Sequence, residues 1–307
     1  INYIKKLYLT ISIEHNRIFR YTILLHKLYF LVLLLSRREK YMKILVADGV
    51  SPKGIEILQK AGFETVIKDK LPAEELLEII PDFDGLIVRS ASKVTKEVIE
   101  RAKKLKIVGR AGVGTDNIDI NAATAHGIMV INSPGGNTIA ATEHTMGMMM
   151  AMARNIAVAN ETMQHGEWNR KKYTGVELRG KTLGVIGLGR IGSGVATRAL
   201  AFDMNVIGYD PYVNEERAHS LGIKVVSLDE LIKQSDFITV HMPLTPKTKG
   251  MLNKDNIAKM KNGVRLINCA RGGIINEQDL ADAVKSVMLQ VLQSTYLKVN
   301  LSIQIIH

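Results

Sequence analysis

The stretch KTLGVIGLGRIGSGVATRALAFDMNVIGYDP, residues 181–211, decides the fold. Thr182 to Ile186 is a short apolar run of strand type, and Gly187, Gly189 and Gly192 follow it in the pattern G-x-G-x-x-G. An amphipathic stretch opening at Arg190 reads as a helix, and a second apolar run ends at Asp210, 18 residues after the third glycine. The glycine pattern alone is weak; in the order strand, turn, helix, strand, acid it marks a dinucleotide-binding βαβ unit. Gly187 makes the tight turn, Gly189 lets the backbone approach a pyrophosphate, and Gly192 lets the helix pack on the strand. The helix start at Arg190 and Ile191 offers N–H groups and a positive dipole end to the phosphates. Asp210 can accept from ribose hydroxyls and would repel a 2′-phosphate, so the expected cofactor is NAD rather than NADP.

Downstream, IKVV, DFITVH and GVRLIN read as further strands of the same sheet. Ligands of such sheets bind outside the carboxyl ends of the strands, which places His241-Met242-Pro243 and Cys269-Ala270-Arg271 on the rim of the cofactor crevice. The guanidinium of Arg271 can hold a carboxylate in a planar fork and polarise a reacting oxygen. It stays protonated and cannot move protons at neutral pH.

Upstream, a regular alternation begins at Met42. MKILVAD, FETVIK, DGLIVRS, LKIVGRAG and IMVIN are strands; SPKGIEILQKAG, PAEELLEII, TKEVIERAKK and INAATAHG are helices between them. Apolar strands alternating with amphipathic helices imply a parallel sheet covered on both faces. Pro134-Gly135-Gly136-Asn137 interrupts the rhythm as a candidate hinge. TIAATEHTMGMMMAMARNI, residues 138–156, reads as one helix buried on most sides, its methionines packing in a core or interface.

With 307 residues the chain has room for two domains, and a single cysteine excludes an internal disulfide and a cysteine-rich metal site. A reducing, cytoplasmic setting is expected, with no metal. Of the net charge of +11, +6 falls in residues 1–41, so the remainder suggests no nucleic-acid surface. The longest apolar run in that leading segment, residues 28–35, is too short to span a membrane, which takes about 20 residues. Residues 1–41 therefore read as an extension outside the fold, with no membrane partner.

Four runs together carry a resemblance: VGRAGVGTDNIDINAA at 108–123, the GLGRIG turn, ITVHMPLTPKTKGMLN at 238–253 and NCARGGIINE at 268–277. They resemble the D-isomer-specific 2-hydroxyacid dehydrogenases over about residues 42–286. VRSASKVT at 88–95, GEWNRKKYTGVELRG at 166–180 and GYDPY at 208–212 are similar to members acting on a small phosphorylated 2-hydroxy acid. The resemblance implies NAD-linked oxidation of 3-phosphoglycerate to 3-phosphohydroxypyruvate, the first step of serine synthesis, in a homodimer or tetramer. It implies that Arg89, Ser90, Gly112 and Val113 bind substrate. Arg190, Ile191, Asp210, Met242 and the turn Cys269 to Arg271 would contact NAD, with Arg271 the catalytic arginine. The family's next strand, catalytic Glu and catalytic His do not continue the match beyond Ser286: Thr295 and Asn300 fall where the strand's Asp and the Glu are expected. Little dehydrogenase activity is expected of such a chain. The alternatives are another 2-hydroxyacid dehydrogenase, such as a glyoxylate or hydroxypyruvate reductase, and a non-catalytic NAD-binding, dimerising protein.

The expected architecture is α/β, with two doubly wound parallel sheets. Residues 42–136 form a flavodoxin-like substrate domain and 137–286 a Rossmann domain lacking its C-terminal strands. Residues 287–307 form a divergent, helix-ambiguous tail that leaves a sheet edge open and stability marginal.

Overall fold

The computed structural model of the chain describes residues 42–286 and, as backbone, 289–294. The expectations for residues 1–41, Thr295 and Asn300 lie outside them. Contacts divide the chain into two units between Asn137 and Thr138, at the end of the Pro-Gly-Gly-Asn interruption.

In the first unit, runs of β-branched and apolar residues become β1 (Lys43–Val46), β2 (Glu64–Ile67), β3 (Gly85–Val88), β4 (Ile107–Arg110) and β5 (Met129–Asn132). All pair in parallel in the order β2-β1-β3-β4-β5, the flavodoxin-like arrangement. Helices α1 (Pro52–Lys60), α2 (Ala73–Ile79), α3 (Lys96–Arg101) and α4 (Ile120–Ala125) make the crossovers. Ser51, Thr95 and Asp119 cap α1, α3 and α4 by accepting from backbone N–H groups of the first turn. Because side chains alternate across a strand, Ile44 and Val46 join Leu58 and Phe63 on one face of the sheet, while Leu45 joins Leu76, Ile80 and Ile99 on the other. Both faces are thus covered and the strand ends stay open, which is where a parallel sheet can hold a ligand.

The second unit begins with α5 (Thr138–Ala153), the helix expected over 138–156 and three residues shorter, followed by α6 (Ile156–Gln164), a helix that was not expected. Asn155 takes a left-handed conformation, φ 54°, and ends the first helix. Nor is α5 buried on most sides. Thr142, Thr145, Met146, Met149 and Met152 form one buried stripe at helical spacing, and Ile139, Glu143, His144 and Gly147 are exposed. Trp168, after α6, is 71% exposed.

The sheet of this unit contains β6 (Thr182–Ile186), β7 (Asn205–Tyr209), β8 (Lys224–Val225), β9 (Phe237–Val240), β10 (Val264–Asn268) and β11 (Leu289–Ser294). Their order, β11-β10-β9-β6-β7-β8, is that of the dinucleotide-binding doubly wound fold. Crossovers run through α7 (Arg190–Leu200), α8 (Glu215–Ser220), α9 (Leu228–Gln234), α10 (Lys254–Ile257) and α11 (Glu277–Lys285). Leu183, Val185 and Ile267 pack with Val195 and Met149 on one face; Ile186, Ile238 and Leu266 pack with Leu231 and Leu280 on the other. α5 lies close to α7 because Gly194 has no side chain: a Cβ there would come 2.9 Å from Thr142 Oγ1.

One expectation is corrected at the C-terminal side. Residues 289–294 are not a helix-ambiguous tail beyond an open edge; they form β11, parallel to β10, with Asn268 opposite Ser294. The sixth strand position is filled, and the argument for marginal stability from its loss falls with it.

Candidate active site

The turn after β6 is held from three sides. Gly187, at φ 97°, takes a backbone conformation that side chains rarely adopt, and a Cβ on it would lie 2.8 Å from both the His241 carbonyl and Met242 Cγ. A Cβ on Gly192 would lie 1.9 Å from the Gly187 carbonyl oxygen, so glycine is what lets α7 start against the end of β6. Gly189 differs: nothing lies within 4 Å of its missing Cβ. The middle glycine therefore leaves open backbone at the start of α7, whose N-terminus has no side-chain cap. This is the cradle a pyrophosphate requires, with the dipole of α7 directed at it.

Asp210 follows β7 and is tied to backbone on two sides. Its Oδ2 accepts from Leu188 N at 2.8 Å and its Oδ1 from Tyr212 N at 2.9 Å. The carboxylate thus ties the glycine turn to the end of the next strand.

On the other side of β6, β9 delivers His241, Met242 and Pro243. His241 N donates to Ile186 O at 2.8 Å, continuing the ladder into the turn. Its Nε2 lies 2.9 Å from Oγ1 of the fully buried Thr239. Burial pushes the imidazole from its ordinary 6.5 down to about 4, so it is neutral at physiological pH. Met242 is 6% exposed and packs in the core below the rim, whereas Pro243 is exposed.

The next strand, β10, ends at Asn268. This buried amide organises the loop: its Oδ1 accepts from Ala270 N at 3.0 Å and its Nδ2 donates to Arg271 O at 2.9 Å. Cys269, Ala270 and Arg271 are partly buried, and the Arg271 guanidinium donates to Ala270 O at 2.8 Å. The glycine turn, Asp210, His241 to Pro243 and Cys269 to Arg271 accordingly gather at the carboxyl ends of four neighbouring strands, β7, β6, β9 and β10.

In the first unit, the residues implied as substrate-binding sit at the ends of two adjacent strands, β3 and β4, with Val88 opposite Arg110. Arg89 and Ser90 follow β3 and are exposed; the Arg89 guanidinium donates to Gly49 O at 3.2 Å. Gly112 and Val113 follow β4. The Arg110 guanidinium occupies the place of a Gly112 Cβ, at 1.5 Å, and Asn132 Nδ2 donates to Val113 O at 2.5 Å.

Sequence reading missed Asp48, Asn117, Thr239 and Asn268. Asp48, Thr239 and Asn268 lie in or beside otherwise apolar strand ends, and that placement was the available signal; Asn117 lies in the loop after β4. Among the described residues, no group of three His, Cys, Asp or Glu could hold a metal, and no helix is long and apolar enough to cross a membrane.

Residues 146–293 match the family model for the D-isomer specific 2-hydroxyacid dehydrogenase, NAD binding domain, a match that runs into β11. The D-3-phosphoglycerate dehydrogenase of Methanocaldococcus jannaschii is 54% identical over 245 residues, 80% of this chain and 47% of that protein. That of Homo sapiens is 51% identical over 244 residues, 80% of this chain and 46% of that protein. The chain thus spans about half the length of the curated relatives it matches. The NAD-dependent formate dehydrogenase of Staphylococcus aureus, solved in complex with NAD, is similar with a TM-score of 0.75 and 34% identity, over 85% of this chain and 83% of that one. The chain belongs to the D-isomer-specific 2-hydroxyacid dehydrogenase family and carries that family's NAD-binding domain.

Proposed function

We propose that the chain has the binding machinery of a D-3-phosphoglycerate dehydrogenase, built for NAD-linked oxidation of 3-phosphoglycerate to 3-phosphohydroxypyruvate. The observation that carries this reading is the convergence of Gly189, Asp210 and Arg271 on one sheet edge, in a chain about half identical to enzymes of that name. NAD, when bound, supplies the hydride acceptor. The glycine turn and the first turn of α7, including Arg190 and Ile191, hold the pyrophosphate. Asp210 takes the ribose hydroxyls and excludes a 2′-phosphate. Arg271 grips the substrate carboxylate and stabilises negative charge on the oxygen at C2 as the hydride leaves. Arg89, Ser90, Gly112 and Val113 hold the phosphorylated end.

The hydroxyl proton must leave as the hydride does, and general-base help is worth about 10² to 10⁴-fold. Among the described residues, His241 is the imidazole on this rim, and at a pKa of about 4 it is a weak base. Asn300 stands where a family member has its catalytic Glu. The chain is therefore proposed to bind both ligands, with His241 a poor proton acceptor on this rim. The test is titration of the full chain with NAD, NADP and 3-phosphoglycerate, followed by measurement of NADH formation. Saturable NAD binding, with weaker NADP binding and 3-phosphoglycerate binding to the NAD-loaded chain, is the expected result. Equal affinity for NAD and NADP would refute the role of Asp210, and no binding of 3-phosphoglycerate to the NAD-loaded chain would refute the proposed substrate.

A further inference from the structure

The loop after β3 is gripped from below and from one side by two residues with no role in the reading so far. Asp48, at the end of β1, is 4% exposed. A buried carboxylate must have its oxygens satisfied, and no cation does it here: Oδ2 accepts from Arg89 N at 2.6 Å and Ser92 N at 3.1 Å, and Oδ1 from Ser92 Oγ at 2.8 Å. From the opposite direction, Asn117 Nδ2 donates to Arg89 O at 2.8 Å and Ser92 O at 2.7 Å. Asn117 is itself anchored, its carbonyl accepting from Val94 N at 2.7 Å. Both ends of the segment from Arg89 to Ser92 are thus fixed, donors by the carboxylate and acceptors by the amide. What remains between them is a tip in which Ser90 and Ala91 are exposed. Among the described residues, no acceptor is bonded to the amides of that pair.

We propose that Asp48 and Asn117 are positioning residues that present the Arg89–Ala91 tip to the anionic end of the substrate. This rests on the proposed role of Arg89 and goes beyond it by naming what sets its geometry. Locking four backbone groups leaves the amides of the tip and the root of the Arg89 side chain in one arrangement, so the entropy of ordering the loop is not lost again on binding. Burying an acid to achieve this is worthwhile at a ligand site.

The test uses the full chain with NAD present, comparing 3-phosphoglycerate affinity with NAD affinity and the melting temperature. Asp48→Ala removes three acceptor contacts and should weaken 3-phosphoglycerate binding by about tenfold or more, with NAD affinity, set in the other unit, unchanged. Asn117→Ala should do the same from the other side. Asp48→Asn is the rescue: its Oδ1 can still take the two backbone N–H groups while its amide donates to Ser92 Oγ, so affinity should return to within about threefold. Unchanged 3-phosphoglycerate affinity in both alanine variants overturns the proposal. So does a parallel loss of NAD binding or of the cooperative melt, since the pair would then merely support the fold. Arg89→Ala separates the two layers of the argument. If it leaves 3-phosphoglycerate affinity intact, the assignment of Arg89 fails, and the clamp has no substrate contact to position.

Discussion

Replacing Gly189 and Gly192 separately by alanine distinguishes a glycine kept for a ligand from one kept for packing. At Gly192 the new Cβ would sit 1.9 Å from the Gly187 carbonyl oxygen and must retreat by about 1 Å to reach even 3.0 Å. The obstacle is backbone at the end of a buried strand, with no flexible side chain to move aside. Overpacking of this kind costs about 1–3 kcal/mol, occasionally more, and alanine's better helix propensity returns about 1 kcal/mol. The rigid carbonyl points to the upper end, so a net loss near 2 kcal/mol is expected, a fall of about 4–8 °C in the melting temperature of this unit. At Gly189 the Cβ would meet nothing within 4 Å, and the backbone, at φ −67° and ψ −164°, is one that alanine adopts freely. The exchange of Gly for Ala at a helix N-cap costs about 0.5–1 kcal/mol, about 1–4 °C here and less than at Gly192. A methyl group at that point nevertheless stands where the pyrophosphate must approach, and NAD affinity should drop by about tenfold or more. Thermal melts without ligand and calorimetric titration with NAD provide both numbers. Gly189→Ala with unchanged NAD affinity would show that the phosphates do not lie over this turn. A melting temperature for Gly192→Ala equal to that of the parent would refute the packing calculation.

Asp210→Asn retains an acceptor for Leu188 N while removing the charge. Discrimination between NAD and NADP should fall by about tenfold or more, and a ratio unchanged in paired titrations would contradict the assignment. His241 is neutral in the fold and charged at low pH when unfolded, because burial lowers its folded pKa from 6.5 to about 4. Its contribution is therefore present above pH 6.5 and lost as the pH falls towards 4. As a residue His241 is only partly buried, so the expected loss is about 2 kcal/mol, less than the ~3 of the full shift. His241→Gln should flatten denaturant-derived stability across that window, and parallel profiles for the two proteins would dismiss the effect. Arg271→Lys keeps the charge but not the planar fork, so 3-phosphoglycerate affinity should fall by about tenfold with NAD affinity nearly unchanged. An affinity equal to the parent's would mean that the carboxylate is held elsewhere.

Most strands and helices were legible because each element repeats its own period. Ile44, Leu45 and Val46 are apolar in succession because both faces of the sheet are covered, and the glycine turn announces itself by spacing. Helix α6 was not legible: it has no buried residue, so it carries no apolar stripe that would announce its period. Of the candidate site, the residues that face outward could be named from type and position. The residues that set them, the buried Asp48 and Asn268 and the half-buried Asn117, could not. Their significance lies in partners 25 to 44 residues away for the first two, and in a turn only three residues long for the third. Neither distance produces a periodic signal.

β11 is the instructive misreading. A search for family-like side chains after Ser286 finds divergence, yet the chain still forms a parallel ladder with β10 from Val264 to Asn268. The reason is that strand pairing is made by main-chain groups, which every residue except proline supplies in full. β10 has one edge bonded to β9 and the other free to template a partner, and three residues separate the end of α11 from the segment that follows. A six-residue run without glycine or proline, LQVLQS, meets that demand whether or not it preserves the chemistry of a catalytic strand. Side-chain identity is a stricter requirement, because proton transfer needs a specific base at hydrogen-bond distance. Asn268, opposite Ser294 in the completed ladder, can hold the Arg271 turn in place for binding, while the proton acceptor depends on residues that backbone pairing does not select.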